Sequence, residues 1–204
     1  MKNKNKAVIT AVCAFATVAA SVFGTMAYFT SQDEAVNTFT VGNVEIEMDE
    51  KNVDQKPESG ERDTKNEYKL LPGKTYEKDP TIYIKDGSED CWLFVKVENG
   101  LADQILNIET QDETKTIHGQ MIANGWSLVT DDTYDNFYVY KDIKKAGEQQ
   151  VVFSSFTIDG ESVDYADLEA KKDSQILVTA YAIQATGFED DWQAAWDALK
   201  PSVK

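Results

Sequence analysis

The sequence predicts an all-β protein: a two-sheet antiparallel sandwich with short peripheral helices and an amphipathic helix at its C-terminus. Three observations carry that expectation. About seven short segments alternate apolar and polar residues with a period of two. Turn residues punctuate them at short intervals. Only three stretches fit a helical period, and all are short. The 204 residues are 42% apolar and 11% aromatic, enough to bury a core despite a net charge of −16. With 11 Gly, 4 Pro and 2 Cys, a collagen-like or disulfide-dense chain is excluded.

The first element is an address rather than a fold element. Lys2, Lys4 and Lys6 precede an uncharged run from Ala7 to Phe23, and Thr25-Met26-Ala27 places small residues where a signal peptidase reads. This order predicts a secretory signal peptide over residues 1–27, cleaved between Ala27 and Tyr28. The alternative is an uncleaved anchor, since the 23 residues from Ala7 to Phe29 carry no charge and roughly 20 suffice to span a bilayer. Thr10-Ala11-Val12 before Cys13 makes a poor lipobox. Cleavage removes three Lys and no acid, so the charge of −16 becomes −19, and it leaves 28–204 as one domain. Cys91 is then the sole cysteine and reads as a buried thiol beside Trp92 and Leu93.

Along the mature chain, Ala35, Asn37, Phe39 and Val41 share one parity, whereas Val44, Ile46 and Met48 take the other. One long strand with a bulge at Gly42 and Asn43 accounts for the switch, because an extra residue keeps both halves facing one core. Residues 49–66 are rich in Lys, Glu, Asp and Asn without periodicity, and predict a long solvated loop or a mobile insertion. Leu70-Leu71-Pro72-Gly73 closes it with a turn. Residues 82–84 and 91–97 predict two strands joined through Asp86-Gly87-Ser88; the second is apolar on both faces and should be central. A short helix over 116–124 follows. Strands are expected over 126–129 and 137–140, bridged by the 131–136 turn, and over 150–158. A short helix over 163–172 leads to a last strand over 175–185. Asp190 or Asp191 then caps a helix whose Trp192, Ala195, Trp196 and Leu199 fall on one face. Periodicity does not separate jelly-roll from immunoglobulin-like order, although the Cys–Trp–Cys pattern of the latter is absent.

The chemistry of sites is sparse. The acidic excess disfavours nucleic acid and anionic lipid, which need clustered Lys and Arg. A zincin needs two His on one helical face, whereas His118 is the only histidine. A Cys91–His118 pair would use a thiol in an apolar strand, where the thiolate is disfavoured. No serine has a G-x-S-x-G context. Asp131, Asp132, Asp135 and Asn136 offer oxygen ligands for Ca²⁺, but without EF-hand spacing, and a solvated turn explains them equally. No catalytic, cofactor or metal residue is therefore assigned.

Gly24-Thr25-Met26-Ala27-Tyr28-Phe29-Thr30 followed by residues 37–44, Asn-Thr-Phe-Thr-Val-Gly-Asn-Val, resembles the TasA/camelysin family. Leu71-Pro72-Gly73, Tyr138-Val139-Tyr140 with Ala146-Gly147-Glu148, and Ala182-Ile183-Gln184-Ala185 with Gly187-Phe188 agree with it. The resemblance implies a jelly-roll sandwich, secreted from a Gram-positive cell and matured by a SipW-type signal peptidase. Such a protein touches the membrane only before cleavage. It implies assembly into homo-oligomers or fibres of a biofilm matrix, with residues 28–41 donated as a strand to a neighbour. Phe29, Ala35, Phe39 and Val41 are the expected donor side chains, each large apolar one contributing about 1.5–3 kcal/mol on burial against a similar total cost of association. The resemblance also carries an alternative, a camelysin-like surface metalloendopeptidase; a third reading, independent of it, is a monomeric surface-binding module.

Overall fold

The structure is a computed structural model that describes residues 30–34, 37–39, 43–54 and 61–203. The leader, the Ala27–Tyr28 junction, Phe29, Ala35, Val41 and Gly42 lie outside the described residues. The regular structure of the described chain is mostly strand, and every strand pair in it is antiparallel. In chain order the strands are β1 (Thr30–Glu34), β2 (Asn37–Phe39), β3 (Ile46–Lys51), β4 (Arg62–Asp63), β5 (Thr75–Glu77) and β6 (Thr81–Ile84). They continue with β7 (Cys91–Asn99), β8 (Trp126–Leu128), β9 (Phe137–Tyr140), β10 (Gln149–Val151), β11 (Ser155–Thr157) and β12 (Ile176–Gln184). Three short helices, α1 (Ile117–Ala123), α2 (Tyr165–Ala170) and α3 (Trp192–Leu199), fall where the helical periods place them.

A six-stranded sheet runs β2-β1-β12-β7-β9-β8, a four-stranded one β10-β6-β3-β4, and β11 pairs with β5. The first two sheets share one core. Ile46, Met48, Ile82 and Ile84 from the four-stranded sheet meet Leu93, Val95, Ala180 and Ala182 from the six-stranded one. On the far face of the six-stranded sheet, Phe94, Phe137, Tyr181 and Ile183 meet Ala195, Trp196 and Leu199 of α3. β7 is thus covered on both faces and lies between β12 and β9, which is why its apolar residues do not alternate with polar ones.

Three expectations are corrected. Of residues 35–48, the described 37–39 and 46–48 do not belong to one strand: β2 pairs with β1 in the six-stranded sheet, whereas β3 pairs with β6 in the four-stranded one. Asn43 is a bend between them. A bulge and a passage between two facing sheets both switch the inward parity, so the alternation alone could not separate them. Residues 150–158 likewise divide into β10 and β11, in different sheets. Between them Val152 and Phe153 are both fully buried. Finally, the charged 49–66 stretch is not wholly a solvated loop. β3 extends through Lys51, and β4 returns to pair with it, Glu50 opposite Asp63. Arg62 anchors the return: its guanidinium donates to the carboxylates of Asp49 and Asp79 and to Thr81 Oγ1.

Local signals read correctly have visible causes. Gly73 has φ 71°, the left-handed conformation its turn demands. The helix expected over 116–124 forms as α1, and its cap, which the sequence reading did not assign, is Thr116, whose Oγ1 accepts from Gly119 N at 3.0 Å. Asp191 Oδ1 accepts from Ala194 N at 2.9 Å and caps α3.

Candidate assembly edge and the groove beside it

β12 is the backbone platform of the candidate site. On one side it pairs with β7 along its whole length, from Ile176 opposite Asn99 to Gln184 opposite Cys91. On the other side β1 covers only part of it, from Thr179 opposite Glu34 to Ile183 opposite Thr30. Among the described residues no strand pairs with Ile176–Val178 on that side. Leu177, at the centre of this uncovered stretch, is 48% exposed. β1 is itself a polar segment, Thr-Ser-Gln-Asp-Glu, joined to β12 by backbone register.

The uncovered end of β12 opens into a groove of about 880 Å³. β12 forms one wall, with Lys172–Gln175 before it; β3 and the 64–70 segment form the other, and Leu101 and Phe156 contribute apolar surface. Glu50 and Lys78 also line the groove and are nearly removed from solvent, their side chains 6% and 11% exposed. Lys78 Nζ donates to Glu50 Oε2, and Asn66 Nδ2 donates to Glu50 Oε1 at 3.0 Å. Asn66 Oδ1 in turn accepts from Val53 N at 2.7 Å and Asp54 N at 3.4 Å. Nearby, Tyr68 has its hydroxyl pKa pushed up by burial first and by the charge of Glu50 next. Its ring stands edge-on to Phe156, centroids 5.0 Å apart.

These groups were not singled out from the sequence, though a signal existed. Glu50 continues the inward parity of Val44, Ile46 and Met48, and Lys78 continues that of Tyr76. A charged residue on an inward parity demands a partner.

Of the expected donor residues, Phe39 lies in β2, opposite Gln32 of β1; Phe29, Ala35 and Val41 are outside the described residues. The structure does not bring Cys91 and His118 into hydrogen-bonding contact. His118 Nδ1 is 2.9 Å from the Tyr138 hydroxyl. Cys91 is fully buried, and burial pushes its thiol up to about 12, which holds it protonated at neutral pH. In the 131–136 turn, Asp131 is spent on the protein's own donors: Trp196 Nε1 at 3.0 Å, Thr133 N at 2.9 Å and Lys200 Nζ at 3.3 Å. Among the described residues no three His, Cys, Asp or Glu side chains are grouped to hold a metal ion. Among them, too, no helix is long and apolar enough to cross a membrane.

The described chain is an all-β protein of antiparallel sheets, in which β1 pairs with β12 on one side and with β2, the outermost strand, on the other. No family model, characterised protein or solved structure matches the chain.

Proposed function

We propose that the chain is a secreted, non-enzymatic structural subunit of extracellular or cell-surface fibres, built on a jelly-roll sandwich and assembled by N-terminal strand donation. The observation that carries this reading is the place of β1. It is the first described strand, it adds to β12 through backbone pairing, and among the described residues it leaves Ile176–Val178 of β12 unpaired on that side, beside a groove. A second copy offers the same strand chemically, so β12 accepts either its own β1 or a neighbour's. Exchange conserves the pairing of β1 while adding whatever apolar residues flank it, so the balance between closed monomer and fibre is set by those flanks. In this account a SipW-type peptidase cleaves between Ala27 and Tyr28, and a tethered N-terminus cannot thread into another molecule before that cut.

Self-pairing of β1 favours a second reading, a monomeric surface-binding module that never polymerises. Electron microscopy of the protein beginning at Tyr28, beside a form extended at the N-terminus, separates the two. Fibres from the first form alone are the expected result. Monomers from both forms at high concentration would overturn the fibre reading.

A further inference from the structure

The Glu50 carboxylate does something a simple ion pair does not require. Its two oxygens hold an amine and a carboxamide at once, Lys78 Nζ on Oε2 and Asn66 Nδ2 on Oε1. The carboxamide oxygen is polarised from its other side by two backbone N–H groups, those of Val53 and Asp54. An amine, a carbonyl with donors aimed at its oxygen and a carboxylate touching both nitrogens are the parts of an acyl-transfer site. We propose that Lys78 and Asn66 join in an intramolecular isopeptide bond, with Glu50 as the proton relay.

Each atom has a place in the step. Lys78 passes a proton along its hydrogen bond to Glu50, leaving a neutral amine. Its nitrogen lone pair forms a bond to Asn66 Cγ, and the developing negative charge falls on Oδ1, which faces Val53 N and Asp54 N. The former amide nitrogen of Asn66 becomes pyramidal and basic, and takes the proton from Glu50. The Cγ–Nδ2 bond then breaks as the carbonyl re-forms, and ammonia leaves carrying the electron pair of that bond. The attacking nitrogen loses its second proton to the departing ammonia. The balance is alkylammonium plus carboxamide giving secondary amide plus ammonium, with Glu50 regenerated and nothing oxidised or reduced.

The surroundings fit this chemistry. The amine and carboxylate are nearly out of water, so proton transfer between them does not have to compete with full solvation of both charges. Three different segments supply the groups, and their positions are fixed by pairing: Glu50 by β3 against β6, Lys78 by its backbone N–H on Ser154 O at 3.2 Å, and Asn66 by its side-chain bonds to Lys51 O and Val53 N. The shared carboxylate gathers the amine and the carboxamide at one place, the proximity that reaction of an unactivated amide requires. The bond would staple the segment after β4 to the strand region that follows β5, in a chain whose only described cysteine is unpaired.

Intact-mass spectrometry of the folded protein, followed by a tryptic map, tests this. The expected mass is short of the sequence by one ammonia, and the map contains one branched peptide joining Lys78 to Asn66. Lys78→Ala, Glu50→Gln and Asn66→Ala should each restore the full sequence mass, whereas Asn66→Asp should react with loss of water instead. A folded wild-type protein at full sequence mass would overturn the proposal. So would loss of ammonia without a branched peptide, which is the mark of succinimide formation. The wild-type measurement decides the matter even if a variant fails to fold.

Discussion

Asp131 ties three parts of the molecule together. Its carboxylate sits in the β8–β9 turn and receives the indole N–H of Trp196, the backbone N–H of Thr133 and the ammonium of Lys200. Chiefly the indole hydrogen bond, then that from Thr133, lowers its pKa from the ordinary 3.8 to about 2. A carboxylate whose folded pKa is depressed contributes stability above its unfolded value and loses it as pH falls through the folded one. Asp131 therefore contributes to acid sensitivity between about pH 4 and about pH 2. Asp131→Asn should flatten the loss of melting temperature across that window and lower the melting temperature at neutral pH, as followed by circular dichroism. Glu50 is a second carboxylate whose neighbours answer it: Lys78 Nζ and Asn66 Nδ2 each donate to one of its oxygens in the interior.

Helix α3 shows how a short element is made stable by what it covers. Eight residues in water are too few to hold a helix, so its stability comes from docking. Trp196 is 4% exposed and packs between Phe94, Phe137 and Tyr134, ring centroids 4.9–5.6 Å away. Its two-sided role, apolar body inward and N–H to Asp131, is what an indole offers that a phenyl ring does not. Trp196→Ala should cost about 3–5 kcal/mol in urea unfolding, with the largest effect on near-ultraviolet circular dichroism. A loss under about 1 kcal/mol would mean that the helix is a loosely held appendage.

At the scale of the whole molecule, charge opposes the proposed assembly. The mature chain would carry −19, and identical subunits meeting at a sheet edge bring like charges together. Salt screens that repulsion over about 8–10 Å near physiological ionic strength, while backbone pairing and apolar contact are insensitive to it. Light scattering of the protein beginning at Tyr28 should therefore rise with added salt, and mild acid should act in the same direction. Fibres that dissolve as salt increases would show that ionic attraction, not strand addition, holds them. The self-pairing of β1 adds a kinetic expectation: growth should begin after a lag that shortens when existing fibres are added, because an occupied edge must open first.

How much of this was legible depends on how local each cause is. The two-faced centrality of β7, the cap of α3, the buried thiol at Cys91 and the Pro72–Gly73 turn follow from neighbours in the chain, and the sequence alone determined them. The division of 35–48 and of 150–158 between sheets, the anchoring of the charged 49–66 stretch by Arg62, and the meeting of Glu50, Lys78 and Asn66 were decided only by the tertiary structure. Alternation reports which side of a strand faces inward, and two facing sheets share one interior, so a change of sheet and a bulge leave the same trace. Partners for a buried charge come from wherever the fold brings them, in this case from residues 16 and 28 positions along the chain.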